Sequence, residues 1–364
     1  MKRIFLFTLR SRLTLWLAST ILVIFICACG FVFLGFRQAA IDYDALARME
    51  YQTKQEIIQQ NVATYLAEHP NLDEVTVDKI TQLLEVQEEC LQGMITARFS
   101  GDWHQELSLA VQQGEGELSL AELGAFPYDP ALSQRLAFNQ YLLSHSIPPK
   151  TPANKVDGIS ALCQYIRWIG FFVGALFPMM LSLLTFLMER ETGEVRFLFQ
   201  LPVTRRNLLS GKCLGVFVLS SVSILIIPLA LFMVCSALFG VGDPRYPLEC
   251  LDGSFLPTGR FLWESLISSV VAVAFFTALG VLLSILLKST SLGVLAVISV
   301  VGISVFLQQL SLPFLDWFPL RSANVYSMIT ESTFPLWLIV VVQLISIVGI
   351  MAGGIIIWKK RDLI

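Results

Sequence analysis

The chain has 364 residues, 55% of them apolar and 15% charged, with a mean hydropathy of +0.69 and a formal net charge of −3. Soluble domains keep roughly a quarter of their residues charged, so this balance excludes an ordinary soluble protein and points to a chain built for a bilayer.

A helix needs about 20 apolar residues to cross ~30 Å of hydrocarbon. Six runs reach that length: Thr14–Phe36, Cys163–Leu187, Cys213–Phe239, Phe261–Leu287, Ser289–Leu310 and Pro335–Trp358. Lipid offers no partner for unpaired backbone groups, so the expected fold class is an all-α membrane protein with six transmembrane helices. Thirteen basic residues against four acids gather in the N-terminal stretch, after the second run, at Lys288 and in the tail. The positive-inside rule places these segments in the cytoplasm, and both termini with them.

Residues 1–13 alternate Lys2, Arg3, Arg10 and Arg12 with Ile4, Phe5, Leu6, Phe7 and Leu9. That pattern suits a cytoplasmic helix lying in the headgroup layer, or a basic lead-in to the first span. The span at 14–36 is longer than the apolar core of a cleaved signal peptide. Residues 37–160 form an extracytoplasmic, mainly helical insert between the first and second spans. Within it, Arg37–Asp157 holds 18 acids against 8 bases and all three histidines, His69, His104 and His145.

Leu46, Met49, Ile57, Ile58, Val62, Tyr65 and Leu66 recur at helical spacing and predict a helix over 38–69, ended by Pro70. Ile80, Leu83, Leu84 and Leu91 predict a second over 77–99. Ser119-Leu-Ala-Glu122 reads as a capping box and Asp129-Pro130 as an N-cap with proline at the first helical position, so two shorter helices follow. Pro148, Pro149 and Pro152 stiffen the return to the bilayer. Cys90 and Cys250 both fall outside and can pair, but two cysteines without further pattern do not decide it.

The second span, 161–188, carries Arg167 near its outer end and Pro178 near its middle, and the third, 211–240, has Pro228 at mid-depth. Each proline frees a carbonyl in the turn before it, which marks either a kink lining a pathway or one buried against a neighbour. An outer loop follows at 241–260, then spans at 261–288 and 289–310. The aromatic segment 311–334 reads as short re-entrant helices. The last span is 335–358, and Trp358 with the basic tail 359–364 reads as an interfacial anchor at the inner face. Arg167 and Glu264, near outer ends, can snorkel or pair with each other.

Residues 189–210 interrupt the apolar pattern between spans two and three. They open on Glu189-Arg-Glu-Thr-Gly193, run to Leu201-Pro-Val-Thr-Arg205-Arg206, and lead into Gly211-Lys212. This stretch resembles the loop of type-two ABC exporter permeases, bacterial multidrug, peptide and sodium-efflux permeases among them, where an E-x-E-x-G … L-P-V-T/S-R … G-K pattern joins the second and third spans. The resemblance implies that Glu189, Glu191, Gly193, Pro202, Arg205 and Arg206 meet a cytoplasmic ABC ATPase subunit and take up its motion. It implies two such ATPases beside two permeases, this chain and a second copy or paralogue, in a bacterial plasma membrane, with an amphipathic small molecule, peptide or lipid as cargo, or sodium. From the residues alone, Glu189 and Glu191 can also simply pair with Arg190 or Arg196 across a turn.

Ser210-Gly211-Lys212-Cys213 lacks the first glycine of a phosphate loop and ends in Cys. The chain is therefore expected not to be an enzyme by itself and to bind no cofactor, with ATP and Mg held by the partner subunit. No catalytic site, metal site or nucleic-acid partner is expected either. The histidines share no metal-ligand spacing, and no Gly-x-Ser-x-Gly elbow occurs.

Ion-coupled carriers keep ionisable groups at mid-depth, whereas the mid-span polar residues here are hydroxyls and one amide. Pro178, Ser182, Thr185, Ser304 and Gln343 are the candidate translocation pathway. The rival reading is a receptor-like or scaffolding membrane protein whose outer domain binds a ligand.

Overall fold

The computed structural model describes residues 30, 43–150, 157–168, 172–193, 204–310, 315, 317–332 and 334–360. The expected N-terminal helix, nearly all of the first span and Pro202 lie outside the described residues.

The insert is built of α1 (Tyr43–Glu68), α2 (Glu74–Ser100), α3 (Trp103–Glu122) and α4 (Pro130–Ser144), each packed on the next. Gly101 closes α2 in the left-handed conformation, φ 74°, and the Asp102 carboxylate at once caps α3 by accepting from the Gln105 amide. That cap explains why the expected start at Ser119 is wrong. Ser119 and Glu122 lie in the last turn of α3, and the Ser119 hydroxyl donates to the Glu115 carbonyl instead of capping anything.

Asp129 does cap α4, accepting from the Ala131 amide with Pro130 in the first turn. Ile58, Val62, Ile80, Leu120 and Ala125 form the insert's core. Met49 and Ile57, expected on the same stripe, are exposed. A polar network also crosses this core: Glu117, 2% exposed, binds Lys54 at 2.7 Å and accepts from Gln113, whose carbonyl accepts from Gln87.

Over the expected second span the described residues form α5 (Gly158–Trp168), a π-helical turn (Phe172–Leu176) and α6 (Phe177–Glu191), with residues 169–171 outside them. The π-turn runs directly into α6, Leu176 keeping helical dihedrals of φ −64° and ψ −47°, and Pro178 follows in the first turn of α6. In α7 (Arg205–Phe239), Pro228 is accommodated without interrupting the helix.

The loop expected at 241–260 contains the one departure from an all-helical plan among the described residues, an antiparallel pair of β1 (Pro247–Glu249) and β2 (Phe255–Pro257). Its turn uses Gly253 at φ 77°. Then come α8 (Thr258–Leu286), α9 (Thr290–Gln309), a 3-10 turn (Pro319–Ala323), α10 (Val325–Thr330) and α11 (Leu336–Lys360).

Among the described residues four helices are long and apolar enough to cross a membrane: Asn207–Phe239, Thr258–Leu286, Thr290–Gln309 and Leu336–Trp358. The central one is α8, which packs against α6, α7, α9 and α11. A Cβ on Gly280 would lie 2.8 Å from the Met179 carbonyl and 2.9 Å from the Ser182 Cβ, so α6 and α8 meet almost backbone to backbone. Met179, Leu183, Phe276 and Val297 fill the core around that contact.

The insert rests on the β-hairpin through Phe138 and Tyr141 against Phe255. This insert end carries exposed Trp168, Trp263 and Trp337, an aromatic belt. Trp358, expected as an anchor at the other end, is instead 7% exposed and packs edge-on to Phe186, because the last turns of α6, α8 and α11 converge over it. Arg167 and Glu264 do not pair. Glu264 binds Arg260 at 2.8 Å one turn away, and Arg167 lies over the Tyr326 ring. Cys90 and Cys250 are free thiols, Cys90 buried within the insert.

Candidate functional site

The end of the bundle opposite the insert holds three consecutive charged residues at the C-terminus of α6, each engaging a different helix. Glu189 forms an ion pair with Lys212 in the third turn of α7. Lys212 is 3% exposed, and its ammonium also lies 5.4 Å from the centre of the Phe186 ring. The Arg190 guanidinium donates at 3.2 Å to the carbonyl of Leu287, the residue that closes α8. The Glu191 carboxylate accepts at 2.7 Å from the amide of Thr290, the first residue of α9.

These are the backbone groups that helix ends leave without partners. α8 ends in an orphan carbonyl with partial negative charge, and Arg190 meets it. α9 begins with orphan amides and partial positive charge, and Glu191 meets one of them. Ser289 supplies a second cap to α9, accepting from Leu292 at 3.4 Å. The Thr290 amide holds the Glu191 carboxyl below the usual glutamate range.

α6 stops immediately afterwards. Thr192 donates back to Met188, and Gly193 at φ 76° turns the chain away, a conformation side chains resist. A Cβ on Gly193 would touch nothing, so conformation and not space selects glycine there. Beneath the clasp, Phe186, Leu209, Val281, Ile285 and Trp358 form an apolar plug.

The residues proposed from sequence fall into three groups. Glu189, Glu191 and Gly193 come together at the clasp. Arg205 and Arg206 open α7 behind the Thr204 cap, their side chains and all of Pro202 being outside the described residues. The pathway candidates do not converge. Pro178 is buried at the start of α6, and the Ser182 and Thr185 hydroxyls donate back to Pro178 and Leu181 while Ser182 abuts Gly280. Ser304 donates to the Leu320 carbonyl, and Gln343, fully buried, lies 3.8 Å from the Met328 sulfur. The last two thus tether the short helices between α9 and α11.

Sequence reasoning missed Arg190 and Lys212 as site residues. It also had no signal for the partners Leu287 and Thr290, which act through their backbones. The local pairing with Arg190 that it offered for the two glutamates does not form, since all three charges reach outward to other helices.

A family model described as ABC-2 family transporter protein matches residues 5–363. No curated protein matches the chain.

Proposed function

Since the chain belongs to the ABC-2 transporter family and is thereby a permease component of an ABC transporter, we propose that it exports an amphipathic small molecule, peptide or lipid from the cell. In this reading it crosses the membrane six times, with both termini and the clasp inside and the insert outside. Two copies of a separate ATPase subunit hold ATP and Mg and press on the segment 189–206, and a second permease, identical or paralogous, completes the assembly.

What supports the reading is the clasp. A displacement of the end of α6 would act on α7 through Glu189 and on the junction of α8 and α9 through Arg190 and Glu191. A push delivered at one loop is thereby shared among four helices without any of them bending. An apolar interior in which the Ser182 and Thr185 hydroxyls bond their own backbones suits an amphipathic cargo better than a bare cation.

The test is co-purification followed by reconstitution. A partner bearing a complete phosphate loop is expected to accompany the wild-type chain. Joint replacement Arg190→Ala and Glu191→Gln is expected to leave that complex and its basal ATP hydrolysis in place while cargo no longer stimulates it. A chain that purifies with no nucleotide-hydrolysing partner, or a double variant still fully stimulated, refutes the proposal.

A further inference from the structure

At the insert end, far from the clasp, a cavity of about 350 Å³ opens between α5, the β-hairpin, the start of α8 and α10. Its walls include Lys150, Gln164, Arg167, Tyr246, Glu249 and Tyr326. That volume falls in the range of small-molecule sites, about 300–1,000 Å³.

Most of its polar groups are already engaged. Lys150 lies 3.0 Å from Asp157, donates to the Ser160 hydroxyl, and sits 4.4 Å from the centre of the Tyr246 ring. Asp157 in turn accepts from the Ser160 amide at 2.6 Å, and the Thr258 hydroxyl donates to the Tyr246 carbonyl. Two charges of opposite sign are left over. Among the described residues neither Arg167 nor Glu249 has an ion-pair partner.

Arg167 instead lies near two aromatic rings, its guanidinium carbon 5.4 Å from the Tyr326 centroid and 5.6 Å from that of Trp168. Contact with ring faces leaves the N–H groups of a guanidinium available to a bidentate anion. Exposed Trp168 beside it marks the headgroup level of a bilayer.

A cavity with one open cation and one open anion rejects a simple anion, which Glu249 repels, and a simple cation, which Arg167 repels. We propose that it binds a zwitterionic headgroup, with a phosphate on Arg167 and an ammonium on Glu249. Under the orientation proposed above, the site opens to the outer leaflet, where a phospholipid supplies this chemistry; a soluble phosphoamine supplies it as well. The binding requires neither ATP nor the partner subunit, so it stands or falls apart from the export reading.

Native mass spectrometry of the purified full chain in a non-ionic detergent tests it, titrated with phosphatidylethanolamine, phosphatidylglycerol or free phosphoethanolamine. The wild type is expected to retain phosphatidylethanolamine over phosphatidylglycerol. Arg167→Ala is expected to weaken that binding about tenfold or more, the usual worth of a charged hydrogen bond. Glu249→Gln is expected to abolish the preference between the two lipids while phosphatidylglycerol binding holds or rises. Both side chains lie at the surface, so neither variant should lose its fold, and Arg167→Lys, which keeps the charge, should recover part of the affinity. Free phosphoethanolamine binding through the same two residues identifies a soluble ligand, and lipid binding without it identifies a membrane lipid. Equal retention of both lipids by the wild type, or retention indifferent to both variants, overturns the proposal.

Discussion

Lys212 is a cation enclosed by protein, and Glu189 is what makes that tolerable. Removing one member of such a pair strands the other charge, whereas removing both leaves apolar packing beside Phe186. Lys212→Met alone is expected to lower stability by about 3 kcal/mol, while the double variant Lys212→Met and Glu189→Gln returns to within about 1 kcal/mol of wild type. Denaturation followed by intrinsic fluorescence in detergent checks the order. If the pair serves coupling as proposed, the stable double variant still loses cargo-stimulated hydrolysis.

Glu191 gives a pH signature. Its carboxyl titrates lower in the folded chain than in the unfolded one, because only the charged form accepts well from Thr290. The stability it contributes is therefore complete above the ordinary glutamate range and is lost as pH falls through the depressed value. The melting-temperature difference between wild type and Glu191→Gln should accordingly stay flat around neutrality and close in acid. A difference that widened on acidification would contradict this sign.

At the scale of helices, the contact between α6 and α8 depends on Gly280. Gly280→Ala drives a methyl group against the Met179 backbone, which cannot swing aside, and is expected to cost about 1–3 kcal/mol. Gly302→Ala, on α9 with nothing within 4 Å of the added carbon, should be neutral or gain up to about 1 kcal/mol of helix preference. Melting the two variants side by side separates packing from propensity.

The same scale shows what could be read in advance. The end of α2 and the Asp129 cap were legible, since they depend on local spacing and a local side chain, whereas α2 starts at Glu74, three residues before the expected Val77. The capping box at Ser119 failed because an aspartate placed just after the Gly101 turn starts the helix earlier, and no motif records that competition. The π-turn had no signature either. Trp358 resembled a lipid anchor because nothing local tells a tryptophan that faces lipid from one covered by neighbouring helices. At the site, the glutamates stood out as charges between apolar runs, whereas their partners at Leu287 and Thr290 are backbone groups any sequence could supply.

For the molecule as a whole, sidedness follows from how charge is distributed, and thiol labelling in sealed, oriented vesicles measures it. In a background that keeps Cys250 alone, a membrane-impermeant maleimide is expected to react from the insert side only. Moving the single thiol to Lys288→Cys should reverse that. Labelling of both from one face would overturn the six-span arrangement. The helices α9 and α11 keep mostly exposed apolar faces, among them Leu295, Ile298, Phe306, Ile345 and Val348. The insert's separate core makes it a body of its own, joined to the bundle through the aromatic contact at Phe255.

The π-turn at Phe172–Leu176 divides what would otherwise be a single stiff rod. π-turns of this kind recur at functional positions, and sharp changes in helix direction gather at them. In the proposed mechanism, force arriving at α6 then need not lever α5 along with it. On the two proposals above, the cavity at Arg167 and the insert beyond it can stay still while the lower half of the bundle works, as a universal joint lets a shaft turn without moving the bearing beyond it.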